Sequence, residues 1–108
     1  MHLFKMILFT LFVSSTLYAQ KPSNFEGNYL DAMEKAKQSK KICAVVFSED
    51  NNRASAYTNT ICFEDVNVKK QINQNYVGVA SNAKDFDGKI LMKRWQLNKV
   101  PAVALVGN

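Results

Sequence analysis

The sequence predicts an α/β domain organised around one mixed or parallel sheet, and three observations carry that reading. Apolar runs of strand length recur at residues 42–47, 76–80 and 102–106. Segments with helical apolar spacing precede and separate them, in the order helix, strand, helix, strand, helix, strand. A proline, Pro101, stands at the mouth of the last run, where a ladder donor is dispensable.

Residues 20–27 are polar and punctuated by Pro22 and Gly27, which reads as a flexible leader. Asn28 can cap a first helix with Asp31 in its opening turn; Tyr29, Ala32, Met33 and Ala36 then repeat at helical spacing up to Lys40 and Lys41. The run 42–47 shows no alternation, as a strand covered on both faces requires, and is placed at the sheet centre. Residues 48–52 break it. Ala54, Tyr57, Thr58, Ile61 and Cys62 then fall at i, i+3, i+4, i+7 and i+8, predicting a second helix. Asp65 can cap a short third helix carrying Val68 and Ile72, before a second buried strand over 76–80. Strand, helix and strand in this order favour a right-handed parallel crossover. Residues 81–88 read as a loop, with Asp87 preceding a helix that turns Ile90, Leu91 and Trp95 inward. Val100 and Pro101 then open the strand 102–106.

Of the 108 residues, 47% are hydrophobic and 21% charged, which excludes a disordered tail, a collagen-like repeat and a multidomain protein. Residues 1–19 have the layout of an export signal: Lys5, an apolar run from Met6 to Val13, and the small residue Ala19 before Gln20. The run is too short to span a bilayer core, which takes about 20 apolar residues, so no membrane association is expected after cleavage. The alternative is an uncleaved N-terminal anchor, since Leu17 is larger than the usual residue three places before a cut. Cleavage would leave 89 of the 108 residues, 13 basic and 9 acidic, with a net charge of +4 and no histidine. The lysines are scattered, without interleaved aromatic and arginine residues, and predict a solvated basic surface rather than nucleic-acid binding. Two cysteines 19 positions apart match no common zinc spacing, so neither a metal nor another cofactor is expected.

Residues 28–108 resemble the thioredoxin-like superfamily. Val45, Val46, Phe47 and Ser48 look like its strand entering the active-site turn. Phe63, Glu64 and Asp65, with Val68, look like the start of its next helix, and Trp95 to Pro101 resembles the segment leading into its third strand. The resemblance implies a central mixed sheet flanked by helices. It also sets Asn52, Arg53, Ala54 and Ser55 where the superfamily carries Cys-x-x-Cys. That chemistry needs a low-pKa thiolate at a helix N-terminus and a second thiol to resolve the mixed disulfide. An amide and a hydroxyl do neither, so no catalytic residue is assigned. Asn51 replaces the tryptophan often found before the first cysteine, Val46 a buried carboxylate, and Ala102 a threonine. The resemblance further implies a cis Val100-Pro101 bond and a groove at Asn51, Val100 and Pro101 for an extended peptide or protein client, held by main-chain hydrogen bonds.

Cys43 sits near the start of the central strand and Cys62 near the end of the following helix. A strand climbs about 13 Å from Cys43 to Phe47 and a helix descends about 15 Å from Asn52 to Cys62, returning both sulfurs to one end of the domain. A structural disulfide and two separate buried thiols both remain open. The superfamily pattern continues beyond the third strand with a hairpin strand and a helix, so a domain truncated after that strand is expected: a fragment, or a chain whose third-strand edge a partner or second copy covers. The functional expectation is an exported, periplasmic or secreted, binding or accessory module without disulfide exchange. The alternatives are a thiol-disulfide oxidoreductase using Cys43 or Cys62 atypically, and a non-functional or fragmentary superfamily member.

Overall fold

Asn28 starts the first helix as expected: its side-chain oxygen accepts from the Asp31 backbone N–H at 3.0 Å, satisfying one donor that the helix itself cannot. The computed structural model describes residues 21–107, so the export signal assigned to residues 1–19 lies outside the described residues. Helix α1 (Tyr29–Ser39) leads into β1 (Ile42–Ser48), then α2 (Arg53–Tyr57), which runs on as a π-helical turn (Thr58–Cys62). Helix α3 (Val66–Asn75), strand β2 (Tyr76–Asn82), helix α4 (Phe86–Arg94) and strand β3 (Ala102–Val106) follow. Lys40 ends α1 in the left-handed region, φ 57°, and its N–H reaches back to the Ala36 and Lys37 carbonyls.

The three strands form one mixed sheet in the order β2-β1-β3. β1 pairs parallel with β2, from Ile42 opposite Tyr76 to Ser48 opposite Asn82. It pairs antiparallel with β3, from Cys43 opposite Val106 to Phe47 opposite Ala102. β1 is therefore central, and its residues from Cys43 to Ser48 are all buried. At about 1.5–3 kcal/mol for each fully buried large apolar side chain, this strand is a major contributor to the core.

Strand periodicity divides β1 between two layers. Cys43, Val45 and Phe47 join Val77 and Val79 of β2, Ala32 and Ala36 of α1 and Leu91 of α4 in one core. Trp95 closes its edge, with edge-on ring contacts to Tyr29 at 5.8 Å and Phe47 at 5.9 Å. Ala44, Val46 and Ser48 point to the other layer, where α2 lies.

The segment expected as a flexible leader is instead packed into that second layer. Pro22 is fully buried and Phe25 is 3% exposed. Phe25 lies against Phe63, ring centroids 5.2 Å apart, and over Gly78, whose absent side chain leaves room for the ring. Glu26 adds a short parallel bridge to Val79, donating to the Gly78 carbonyl at 2.8 Å and accepting from the Ala80 N–H at 2.9 Å. Glu64 fastens the segment further by accepting from the Ser23 N–H at 2.6 Å and from Lys69 Nζ at 2.5 Å. These bonds hold its carboxyl down to about 2.

Two sequence expectations about α4 are also corrected. The loop 81–88 is shorter, because β2 continues to Asn82 opposite Ser48, and the helix is preceded by Asp85 rather than Asp87. Leu91 turns inward, with Met92 packed partly against the core beside it, and Ile90 is 42% exposed.

A methyl group at Gly78 would lie 2.7 Å from Phe25 ring atoms. Gly78→Ala is therefore expected to cost about 1–3 kcal/mol and Phe25→Ala about 3–5 kcal/mol in urea unfolding. The Gly78→Ala cost should shrink in the Phe25→Ala background, the signature of direct contact. A leader detached from the domain would leave all three proteins equally stable.

Candidate functional site

At the exit of β1 the chain turns through Glu49, Asp50 and Asn51 into α2. Asn51 takes a left-handed conformation, φ 61°, which asparagine tolerates. Asn52 is the helix cap: its Oδ1 accepts from the Ser55 N–H at 2.8 Å and its carbonyl from the Ala56 N–H at 3.0 Å. Ser55 is fully buried, and its Oγ accepts from the Glu49 N–H at 3.2 Å. The two residues are thus bound to the backbone that makes the turn. Arg53 and Ala54 are exposed.

One turn further, Asn59 is buried and donates from Nδ2 to Ser48 Oγ at 3.3 Å, tying the helix to the last residue of β1. The helix widens here: Phe63 donates to the Thr58 carbonyl at 3.0 Å, a five-residue step. Thr58 and Thr60 return their hydroxyls to the carbonyls of Ala54 and Ala56 at 2.8 and 2.6 Å.

The apolar stripe that predicts α2 therefore does not face the sheet. Tyr57 and Ile61 are 60% and 55% exposed, and Ala54 and Cys62 are also exposed. Ser55 and Asn59 are the buried pair, since they alone supply oxygen and nitrogen to the Glu49 N–H and the Ser48 hydroxyl. Sequence reasoning found Ser55 by resemblance and missed Asn59. Its signal was the polar i, i+4 pair inside an otherwise apolar-spaced segment.

β3 begins beside this turn. Ala102 pairs with Phe47, so Val100 and Pro101 stand at the sheet end from which β1 leads to Asn52. The Val100-Pro101 peptide is cis, both residues are half-buried, and Asn51 is exposed. The proposed groove residues thus occupy one end of the sheet.

The two thiols lie elsewhere. Cys43 and Cys62 are both free in this structure, with no disulfide between them. The two residues belong to different layers. Cys43 points with Val45 and Phe47 into the α1 layer, whereas Cys62 ends the helix that packs on the Ser48 side. The sheet lies between them. Burial pushes the Cys43 thiol up, away from the thiolate that exchange requires. Cys62 is exposed and stands at the C-terminal end of its helical segment, away from the helix start at Asn52. Among the described residues no group of three or more His, Cys, Asp or Glu could hold a metal ion, and no helix is long and apolar enough to cross a membrane.

No protein-family model matches the chain, and no curated protein does. Among solved structures, a thioredoxin from Thermus thermophilus superposes with a TM-score of 0.69 over 76% of this chain, at 17% sequence identity. The fold is thioredoxin-like. The chain spans 64% of the length of that thioredoxin. The thioredoxin-like frame places Asn52 and Ser55 at the start of the helix after the central strand, with β3 opening beside them.

In the folded protein a thiol reagent is expected to modify Cys62 rapidly and Cys43 only after denaturation, leaving one fast equivalent by mass. Oxidation that joined the two cysteines without unfolding would contradict the assigned faces.

Proposed function

We propose that this chain is an exported thioredoxin-like domain that binds extended segments of a peptide or protein client without exchanging disulfides. The reading rests above all on one observation. The helix start beside Val100 and Pro101 carries Asn52 and Ser55, whose side-chain oxygens accept from the Ser55 and Glu49 backbone N–H groups. No sulfur stands there, and neither remaining cysteine is placed to substitute: one is buried with a raised pKa, the other closes the far end of the helix. The client-binding part of the reading draws on the resemblance, in which the residues around this turn offer backbone groups to an extended chain. Export, to the periplasm or the exterior, draws on the signal-like layout of residues 1–19.

The exposure of Cys62 favours a second reading, an oxidoreductase of unusual arrangement. Insulin reduction in the presence of a dithiol separates the two. The proposed function predicts turnover no faster than the blank. Turnover abolished in the Cys43→Ala, Cys62→Ala double variant would overturn it. Titration with an unfolded protein whose cysteines are carboxymethylated is expected to shift the backbone amide resonances of residues 51–55 and Ala102. Shifts confined to other surfaces would contradict the groove.

A further inference from the structure

The layer opposite the candidate site carries an apolar face that no described element covers. Leu30 of α1 is 75% exposed, and Phe86 and Ile90 of α4 are 78% and 42% exposed. At 3.6 residues per turn, Phe86, Ile90, Asp87 and Arg94 share one side of α4, next to the inward-facing Leu91. Between this side and the start of α1 lies a crevice of about 200 Å³, lined by Tyr29, Leu30, Asp87, Ile90 and Arg94 among others. Asp87 and Arg94 stand at its two ends along α4, and no salt bridge among the described residues engages either one.

This distribution of charge selects the occupant. A uniformly acidic or uniformly basic partner would meet a like charge at one end of the crevice. A helix with one acidic and one basic residue, seven positions apart and flanking an apolar centre, would meet an opposite charge at both. Helix α4 is itself such an element. We propose that this face is a self-association surface, on which α4 of a second copy packs antiparallel about a twofold axis. Asp87 of each copy then lies opposite Arg94 of the other, with Ile90 of each copy near the axis and Leu30 and Phe86 at the margins. The surface is isologous, so the assembly closes at two copies. Lys93, on the rim of α4, stands opposite Gly88 in this register and meets no cation. The surface lies on the α1 side of the sheet and leaves the turn at Asn52 open, so it is independent of the functional reading above.

Sedimentation equilibrium of the purified protein over about 10 µM to 1 mM tests this, with the expected result a reversible monomer–dimer equilibrium. Asp87→Arg or Arg94→Asp alone sets like charges against each other and is expected to weaken the dimer by about tenfold or more. Combining the two reversals restores opposite charges and is expected to recover most of the loss. Ile90→Glu should leave a monomer whose thermal transition matches that of the wild-type protein diluted to its monomeric range, since the position is 42% exposed. A wild-type protein that stays monomeric throughout, or single reversals that leave association unchanged, would overturn the proposal. So would a dimer that survives Ile90→Glu and is lost in Leu105→Lys on β3.

Discussion

Because β1 lies between β2 and β3 and beneath helices on both faces, every side chain from Cys43 to Ser48 must be packed or hydrogen-bonded without water. The rest of the structure follows from this double burial. One set of alternate residues commits α1, α4 and Trp95 to one layer; the other commits α2 and residues 22–25 to the second. The only polar member, Ser48, fixes where α2 sits, since a buried hydroxyl left unpaired would cost about 1–3 kcal/mol. Asn59 answers it, and the rotation of α2 that brings Asn59 inward also sends Tyr57 and Ile61 outward.

The same constraint explains what could and could not be read from the sequence. The unbroken apolar run 42–47 announced a central strand, and the polar caps Asn28 and Asp65 announced the helices they start. Which way each residue of β1 points was illegible, because a strand that is apolar throughout has no alternation to reveal its faces. The face of Cys43, and with it the geometry of any bridge to Cys62, therefore leaves no trace in the strand's sequence. The face of α2 was illegible for the opposite reason. Its apolar spacing was clear but was outweighed by two buried hydrogen bonds whose partners lie in another element. The packing of Phe25 did leave a trace: an isolated glycine within a strand, Gly78, marks a close approach of another group.

At the candidate site, side-chain to backbone hydrogen bonds define the turn that follows β1. A cap that needs a side-chain acceptor is supplied by Asn52, and a backbone donor in the turn is met by Ser55. These residues hold the turn as a shape and carry no thiol. The resemblance identified their positions from Phe47 and Ser48 alone. Asn59, the residue that anchors the same helix to β1, belonged to no motif and emerged only from its burial and its bond.

The claim on which this account depends is that β1 is the double-covered centre of the domain. Native-state hydrogen exchange measures it most directly. The amides of Cys43 to Phe47 are predicted to exchange only through global unfolding, with a denaturant dependence equal to that of the whole domain. Exchange of these amides through local opening, as fast as that of the edge strand β3, would contradict it.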